Sequence, residues 1–202
     1  MTSSLKTSYH HGALRPALIS VAREILDEGG PDAVGLRETA RRVGVSATAT
    51  YRHFLDKEIL LAAVATEGFQ EFGQALRDSM KDGAPFSAMG RAYVNFARKH
   101  PGLFRLMFSP LLRQTEKFPD LAAAAAAALD FGAPRAESFK ASPEESTMTA
   151  FLSAWAMVHG LAYLVLEGVP PFHEDPSPYL EQIFSRPAPN PSQGKATSSQ
   201  GS

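Results

Sequence analysis

The chain of 202 residues contains no cysteine, which excludes disulfides, thiolate nucleophiles and cysteine-ligated metal sites. Its formal net charge of −1 gives no sign of a preference for nucleic acid or membrane surfaces. The first twelve residues, MTSSLKTSYHHG, lack the apolar stretch of a secretory signal. We therefore expect a protein of the reducing cytoplasm.

Long hydrophobic runs are also scarce. The longest uncharged run, AFLSAWAMVHGLAYLVL at residues 150–166, is shorter than the roughly 20 residues that a bilayer span requires. It also carries His159 in its middle. A membrane helix and a helix buried on all sides both remain possible, and we prefer the buried helix.

No segment shows a sustained period-two alternation, whereas almost every apolar segment has helical spacing. With 44% apolar and 20% charged residues, the composition is that of a globular protein. We predict an all-α fold of about nine helices. The predicted domains are an N-terminal domain at residues 1–56, a helical body at 57–185, and a disordered tail rich in Pro, Gly and Ser at 186–202.

Helix ends are marked by capping residues. The first helix is expected to stop at Gly29-Gly30, and the stretch SPEES predicts a later helix from Ser142, with Glu145 completing a capping box, to about residue 167. Residues 132–141 give no clear pattern. The seven alanines at 122–128 favour a helix with little packing volume. It could approach another helix closely or lie loosely on the surface, and both alternatives stay open.

The stretch LRETARRVGVSATATYRHF at residues 36–54 contains two short helical patterns separated only by Gly44-Val45-Ser46. Helices joined so tightly must cross at a steep angle, as in a helix-turn-helix motif. Residues 33–57 hold five basic and two acidic side chains, a local charge of +3. The second helix therefore has the features of one that enters a DNA major groove.

The expected DNA contacts follow from side-chain chemistry. Small side chains can touch thymine methyls or base edges, and longer donors such as Tyr51, His53 and Lys57 can reach phosphates. Arg41 and Arg42 either contact DNA or merely balance the end of their helix. The candidate DNA-binding residues are Ala47, Thr48, Thr50, Tyr51, Arg52, His53, Lys57, Arg41, Arg42 and, in an N-terminal arm, His11.

The segment ETARRVGVSATATYRHFLDKEILLAAV resembles the DNA-binding segment of the TetR family of transcriptional regulators. The stretches KHPGLFRLMF and AWAMVHGLAYLVLEG resemble the C-terminal domain of a TetR subfamily with a Trp-x-x-x-His-Gly-like signature, here Trp155, His159 and Gly160. Thr50 departs from the family pattern, in which many members have an apolar residue or proline there. The short last helix is a second departure, and it affects the usual dimer face.

This resemblance implies a homodimer that binds a palindromic double-stranded DNA operator and releases it on binding a small apolar effector. Repression is the usual action in the family. The expected dimer residues are Trp155, Val158, Ala162, Leu166, Tyr179 and Ile183. The expected ligand-pocket residues are Phe69, Phe72, Tyr93, Phe96, Phe104, Met107, Phe108, Trp155 and His159, although residues of this kind most often belong to the core.

Other functions have weaker support. The sequence has no phosphate-binding glycine loop, no GxSxG motif and no paired carboxylates on an apolar face, so we expect neither an enzyme nor a cofactor. His10-His11 lacks a nearby third ligand, so no metal is expected. A helical enzyme or carrier using His159 and Tyr93, and a module whose helix-turn-helix binds protein, remain the alternatives.

Overall fold

The structure, a computed structural model, describes residues 13–130, 132–140, 142 and 144–185. The described residues form nine α-helices and no β-strand, which confirms the all-α prediction. The helices are α1 (Leu14–Ala33), α2 (Leu36–Val43), α3 (Ala47–Tyr51), α4 (Lys57–Ser79), α5 (Phe86–Lys99), α6 (Pro101–Met107), α7 (Pro119–Asp130), α8 (Thr147–Leu166) and α9 (Ser177–Ser185). Short 3-10 segments lie at Lys81–Gly83, Pro110–Arg113 and Ala133–Phe139.

The described residues divide into two compact units. The N-terminal unit contains residues 13–68 and 102–122, and the C-terminal unit contains residues 69–101 and 123–185. Helix α4 contributes its first half to one unit and its second half to the other. The predicted tail at 186–202 and the predicted arm with His11 lie outside the described residues.

In the N-terminal unit, α1 packs on α2 and α2 packs on α3. The inward face of α1 repeats at three and four residues, as expected for an amphipathic helix: Leu18, Ile19, Ala22, Ile25 and Leu26. Its regular part ends as predicted, because Gly30 has φ 73° and leaves the helical region. The ring of Phe54 is fully buried, with the guanidinium carbon of Arg15 5.3 Å from its centroid.

In the C-terminal unit, α8 packs on α5 and on the 3-10 segment Ala133–Phe139, and α9 packs on α5. The alanine-rich α7 approaches its neighbour closely, since a Cβ added at Gly73 of α4 would lie 3.3 Å from the Cα of Ala128. Ala125 and Ala128 are buried. Of the two alternatives left by the sequence, the structure therefore supports close helix–helix approach.

The start of α8 differs from the prediction. The helix begins at Thr147 rather than Ser142, because Ser146 is the N-cap and its Oγ accepts a hydrogen bond from the N–H of Thr149 at 3.0 Å. Both serines carry a capping signal. Residues 144–146 are polar, so an extra helical turn there would bury no apolar surface.

Thr50 was predicted to contact DNA, and its burial contradicts this. Its side chain is fully buried, and its hydroxyl oxygen has no hydrogen-bond partner among the described residues. A helix of five residues that crosses α2 closely must turn one residue into the core, and Thr50 occupies that position. It is excluded from direct contact with DNA in this fold.

This burial predicts that Thr50→Val stabilises the protein. Removing a buried hydroxyl without a partner should raise the free energy of unfolding by about 1 kcal/mol or more. Thr39→Val is the matched control, because Thr39 is equally buried but its Oγ1 donates to the Gly35 carbonyl at 2.9 Å. That variant should lose about 1 kcal/mol. Urea unfolding at one fixed protein concentration measures both, and destabilisation by Thr50→Val would contradict the assignment.

Candidate nucleic-acid interface and apolar cavity

The turn between α2 and α3 depends on Gly44. Its backbone has φ 80° and ψ 29°, a left-handed conformation that glycine adopts without strain. Its N–H donates to the carbonyl of Ala40 at 3.0 Å and to that of Arg41 at 3.2 Å. Ser46 then caps α3, because its Oγ accepts from the N–H of Ala49 at 3.1 Å. Only the three residues 44–46 therefore separate the end of α2 from the start of α3.

The outer surface of α3 and of the residues after it contains five of the ten predicted DNA contacts. Thr48, Tyr51 and Arg52 are exposed, and Ala47 and His53 are half-buried. Tyr51 is 43% exposed, which is high for a tyrosine in a folded unit. These five residues remain candidates for contact with DNA.

An open groove lies beside Tyr51, and two helix N-termini border it. Its walls are Gly35, Leu36, Arg37, Glu38, Tyr51, Leu55, Asp56 and Lys57. At the start of α2 the N-cap is Gly35, which has no side chain to accept from the first-turn N–H groups. Such an end attracts anions, since the N–H groups point outward and the helix dipole is positive there.

The N-terminus of α4 is capped differently. The Oδ1 of Asp56 accepts the N–H of Ile59 at 2.8 Å, so the protein's own carboxylate satisfies this end. Lys57 is half-buried, and its Nζ donates to the carbonyl oxygen of Asp32 at 3.3 Å. That acceptor is uncharged, so the ammonium charge remains unneutralised by this contact. Lys117 forms an ion pair with Glu58 in the first turn of α4.

The basic residues of α2 fall into two groups. Arg41 and Arg42 both pair with Glu38, and Arg42 also pairs with Glu28 at 2.8 Å. Hydrogen bonds from these guanidinium groups lower the pKa of Glu38 to about 2. Both arginines are therefore engaged within the chain, which weakens their case as DNA contacts.

Arg37 is exposed, lines the groove and forms no ion pair with any described residue. It was not among the residues predicted for the site. A signal for it exists in the sequence, because a basic side chain in the first turn of a helix opposes the helix dipole. Such a residue is better explained by an anion outside the helix.

The C-terminal unit contains an apolar cavity with an empty volume of about 410 Å³. It is lined by Leu76, Phe86, Met89, Gly90, Tyr93, Ala128, Leu129, Gly132, Phe151, Ala154, Trp155 and Val158. Of the nine residues predicted for a pocket, Tyr93 and Trp155 line it. The remaining seven do not line this cavity.

Most of those seven are core or near-core residues. Phe69 and Phe72 are fully buried, and the Phe72 ring packs edge-on against Tyr93 at 4.9 Å and against Phe96 at 5.1 Å. Phe104 and Met107 are fully buried in the N-terminal unit, where the Phe108 ring is tilted against Phe104 with the ring centroids 4.9 Å apart. Aromatic composition alone does not distinguish a cavity wall from a close-packed core.

Three polar groups join at one side of the cavity. The Nε1–H of Trp155 donates to the Tyr93 hydroxyl at 3.2 Å, and this hydroxyl lies 2.7 Å from Nδ1 of His159. Burial raises the pKa of Tyr93, and partial burial lowers the pKa of His159. Both groups are therefore neutral near pH 7, and the tautomer of the imidazole sets which of the two donates in this hydrogen bond. His159 supports Tyr93 from outside the cavity lining.

Comparisons with known proteins decide the family. Residues 86–186 match the model described as "Tetracyclin repressor-like, C-terminal domain", and residues 18–64 match "Bacterial regulatory proteins, tetR family". The chain belongs to the TetR family. Members of this family are non-enzymatic transcription factors with a DNA-binding and a ligand-binding domain. No curated protein sequence matches the chain significantly.

Solved TetR-like structures share the fold. A protein of unknown function from Rhodococcus sp. RHA1 is 29% identical, with a TM-score of 0.70, over 91% of this chain and 100% of that one. A tetR-family regulatory protein from Rhodococcus RHA1 is 21% identical, with a TM-score of 0.57, over 87% and 96%. A TetR variant from Acinetobacter baumannii AYE in complex with minocycline is 20% identical, with a TM-score of 0.50, over 83% and 87%.

Among the described residues, no group of three or more His, Asp or Glu side chains could hold a metal ion. His10-His11 lies outside that part of the chain. The predicted Trp-x-x-x-His spacing of this TetR chain gains a structural reason, because both side chains reach the Tyr93 hydroxyl.

Helix α8 differs from the buried helix that was predicted. By length and composition it could cross a membrane, with a mean hydropathy of 1.6. Only 22% of its most apolar 18-residue stretch is buried. One of its faces packs inward and the opposite face is exposed. The exposed large side chains on α8, each 44–56% exposed, are Met148, Leu152, Met157 and Leu164.

Three of the four dimer residues predicted on α8 of this TetR chain face into the chain's own body. Ala162 is fully buried within the chain, and Trp155 and Val158 line the cavity. The inward face of α8 was misassigned because a helix that is apolar on all sides has no polar face to mark its solvent side. Leu166 and Ile183 are half-buried, and Tyr179 is exposed, so these three remain candidates.

Proposed function

We propose that this TetR-family chain is a cytoplasmic repressor that binds a palindromic operator as a homodimer and releases it on binding a small apolar effector. The observation that carries the proposal is the groove in which Arg37, Tyr51 and Lys57 surround the N-terminus of α2. Its N-cap, Gly35, has no side chain to cap the helix. A phosphate is the anion that such a groove suits. It would position the exposed small residues of α3 over base edges in the major groove.

The homodimer would form through the exposed apolar face of α8. Ser153, Ala156 and Gly160 are exposed along this face, between its larger apolar side chains. A Cβ added at Gly160 would meet nothing within 4 Å, so no described part of the chain requires glycine there. Glycine in the middle of a helix costs about 1 kcal/mol relative to alanine. Close approach of a second copy's α8 at Gly160 supplies the missing reason.

The effector would act through α4. This single helix carries Lys57 of the groove at its start and Leu76 of the cavity near its end. A ligand filling the cavity would favour one position of α4 over another. It can shift operator affinity only by its differential affinity for the two states, typically about 1–3 kcal/mol. We also propose that the DNA-binding domain ends at residue 56 and that the effector-binding and dimerisation domain covers residues 57–185.

The proposal is tested by selecting duplexes from a pool with a randomised centre of about 30 base pairs, using the purified chain. We expect an inverted repeat whose half-sites lie about one helical turn apart. In mobility-shift titrations the logarithm of affinity should fall linearly with that of salt, with a slope of about −3 or steeper. Failure to enrich any repeat, or binding that salt does not weaken, would reject the regulator function.

A further inference from the structure

The cavity in the C-terminal unit holds no charged group. Eleven of its twelve lining residues cannot ionise, and the pKa of the twelfth, Tyr93, is raised by burial. A charged ligand would leave water without a counter-charge in the lining, which is strongly unfavourable. The occupant of this cavity is therefore an uncharged molecule.

The polar atoms in the wall are already engaged with one another. Trp155 donates to the Tyr93 hydroxyl, and this hydroxyl is also hydrogen-bonded to Nδ1 of His159. A ligand consequently gains little from a large set of polar groups, because each would have to compete with this chain of hydrogen bonds. One small polar group beside Tyr93 is the most that the wall accommodates without disrupting the hydrogen bonds among Trp155, Tyr93 and His159.

Flat ring faces dominate the larger side chains of the lining. Phe151 and Trp155, one helical turn apart on α8, have nearly parallel rings with an interplanar angle of 10° and centroids 6.3 Å apart. Both are half-buried, so contact area remains to be covered. Aromatic rings prefer offset-stacked or edge-on contact with other rings. A flat ligand also loses less conformational freedom on binding than a flexible chain of the same size.

Four small residues lie in the cavity wall, and a ring already packs closely on one of them. Gly90, Ala128, Gly132 and Ala154 are part of the lining, and a Cβ added at Gly132 would lie 2.9 Å from the Phe151 ring. The empty volume of about 410 Å³ includes solvent at the open mouth of the cavity, so the enclosed space is well below that figure. It suits a ligand smaller than most drugs.

We propose that the effector of this cavity is an uncharged planar aromatic compound of two or three fused rings, stacked on Phe151 and Trp155. This inference rests on the proposed function, because it names the ligand of the same regulatory site. It separates the cavity from sites that take fatty acyl chains, organic acids or amines.

Isothermal titration calorimetry of the full chain with four compounds tests the ligand class. The probes are 2-naphthol (planar and neutral), decahydro-2-naphthol (the saturated analogue), 2-naphthoate (planar and charged) and 1-decanol (a flexible chain). We expect 2-naphthol to bind about tenfold more tightly than its saturated analogue. It should bind roughly a hundredfold more tightly than 2-naphthoate. Equal or tighter binding of any other probe, or no binding of 2-naphthol, would overturn the proposal.

A matched pair of variants tests the stacking surface. Phe151→Leu removes a ring from the cavity wall, whereas Phe172→Leu removes an equally half-buried ring that packs on Tyr179 outside it. The first should reduce the preference for 2-naphthol over its saturated analogue to less than about threefold. The second should leave that preference unchanged. A preserved preference in Phe151→Leu would contradict the stacking, and the wild-type series stands as a test if this variant does not fold.

Operator binding by the ligand-free chain separates this inference from the proposed function. Salt-sensitive binding to a selected repeat together with no preference for 2-naphthol would reject the ligand class and leave the regulator intact. A clear preference for 2-naphthol without any binding to DNA would reject the regulator and support the cavity chemistry. If both are present, 2-naphthol should weaken operator binding about 5- to 150-fold at saturation.

Discussion

Tyr51→Ala should abolish operator binding while leaving the fold and the dimer intact. A hydrogen bond to a charged group contributes about 1.5–3 kcal/mol, and a dimer on a palindrome makes the contact twice. The loss of about 3–6 kcal/mol lowers affinity by roughly a hundredfold to ten-thousandfold. Tyr51 is 43% exposed, so its truncation removes little from the core. Mobility-shift titration of a selected operator measures the effect.

Two further variants show whether Tyr51 and its neighbours contact phosphate. Tyr51→Phe keeps the ring and loses the hydroxyl, and should account for most of the loss. Arg37→Ala should weaken binding uniformly across operator variants and make the salt slope shallower by about 1 per protomer. Arg113→Ala is the matched control, an exposed arginine of the same unit outside the groove. If Arg37→Ala binds as tightly as Arg113→Ala, the groove is not a phosphate site.

The double substitution Leu152→Glu with Met157→Glu should convert the dimer to a monomer. Both side chains are 48% exposed on α8, so the isolated chain tolerates the charges, whereas a dimer would bury four of them in an apolar interface. An unpaired buried charge costs several kcal/mol, more than a dimer of ordinary strength can lose. Analytical ultracentrifugation at micromolar concentration should show one species of half the original mass.

The control for this experiment lies on another apolar helix. Ala123→Glu with Ala127→Glu adds two charges to exposed positions of α7 and should leave the dimer unchanged. The α8 variant should also lose operator binding, because one α3 alone makes too few contacts for a specific site. A stable dimer in the α8 variant would contradict the proposed face and point to another surface, such as Tyr179 on α9.

Local signals in the sequence were sufficient for the N-terminal helices. Gly44 and Ser46 act within three residues of each other, so the tight turn between α2 and α3 was predicted from spacing alone. The outward position of Tyr51 followed from the same short motif. Thr50 was misassigned because a helix of five residues has too little periodicity to show which one turns inward.

Long-range packing decided what the sequence left open or got wrong. Phe72 and Phe151 are both phenylalanines in apolar helices, yet one lies in the core and the other lines a cavity. Arg37 and Arg41 lie on the same helix. Of these two, Arg41 pairs with Glu38, whereas Arg37 pairs with no carboxylate of the described residues. Such differences depend on neighbours distant in the chain or on a particular rotamer, and neither leaves a periodic pattern.

The sequence by itself determined the helical class, the tight turn at residues 44–46 and membership in a family of regulators, because each depends on residue types at short, regular spacing. Only the tertiary structure decided which face of α8 is exposed, which aromatic rings border empty space and which arginine keeps its charge available. Those properties depend on how helices distant in the sequence fill the space around one another, and an apolar helix fits a neighbour in more than one rotational phase.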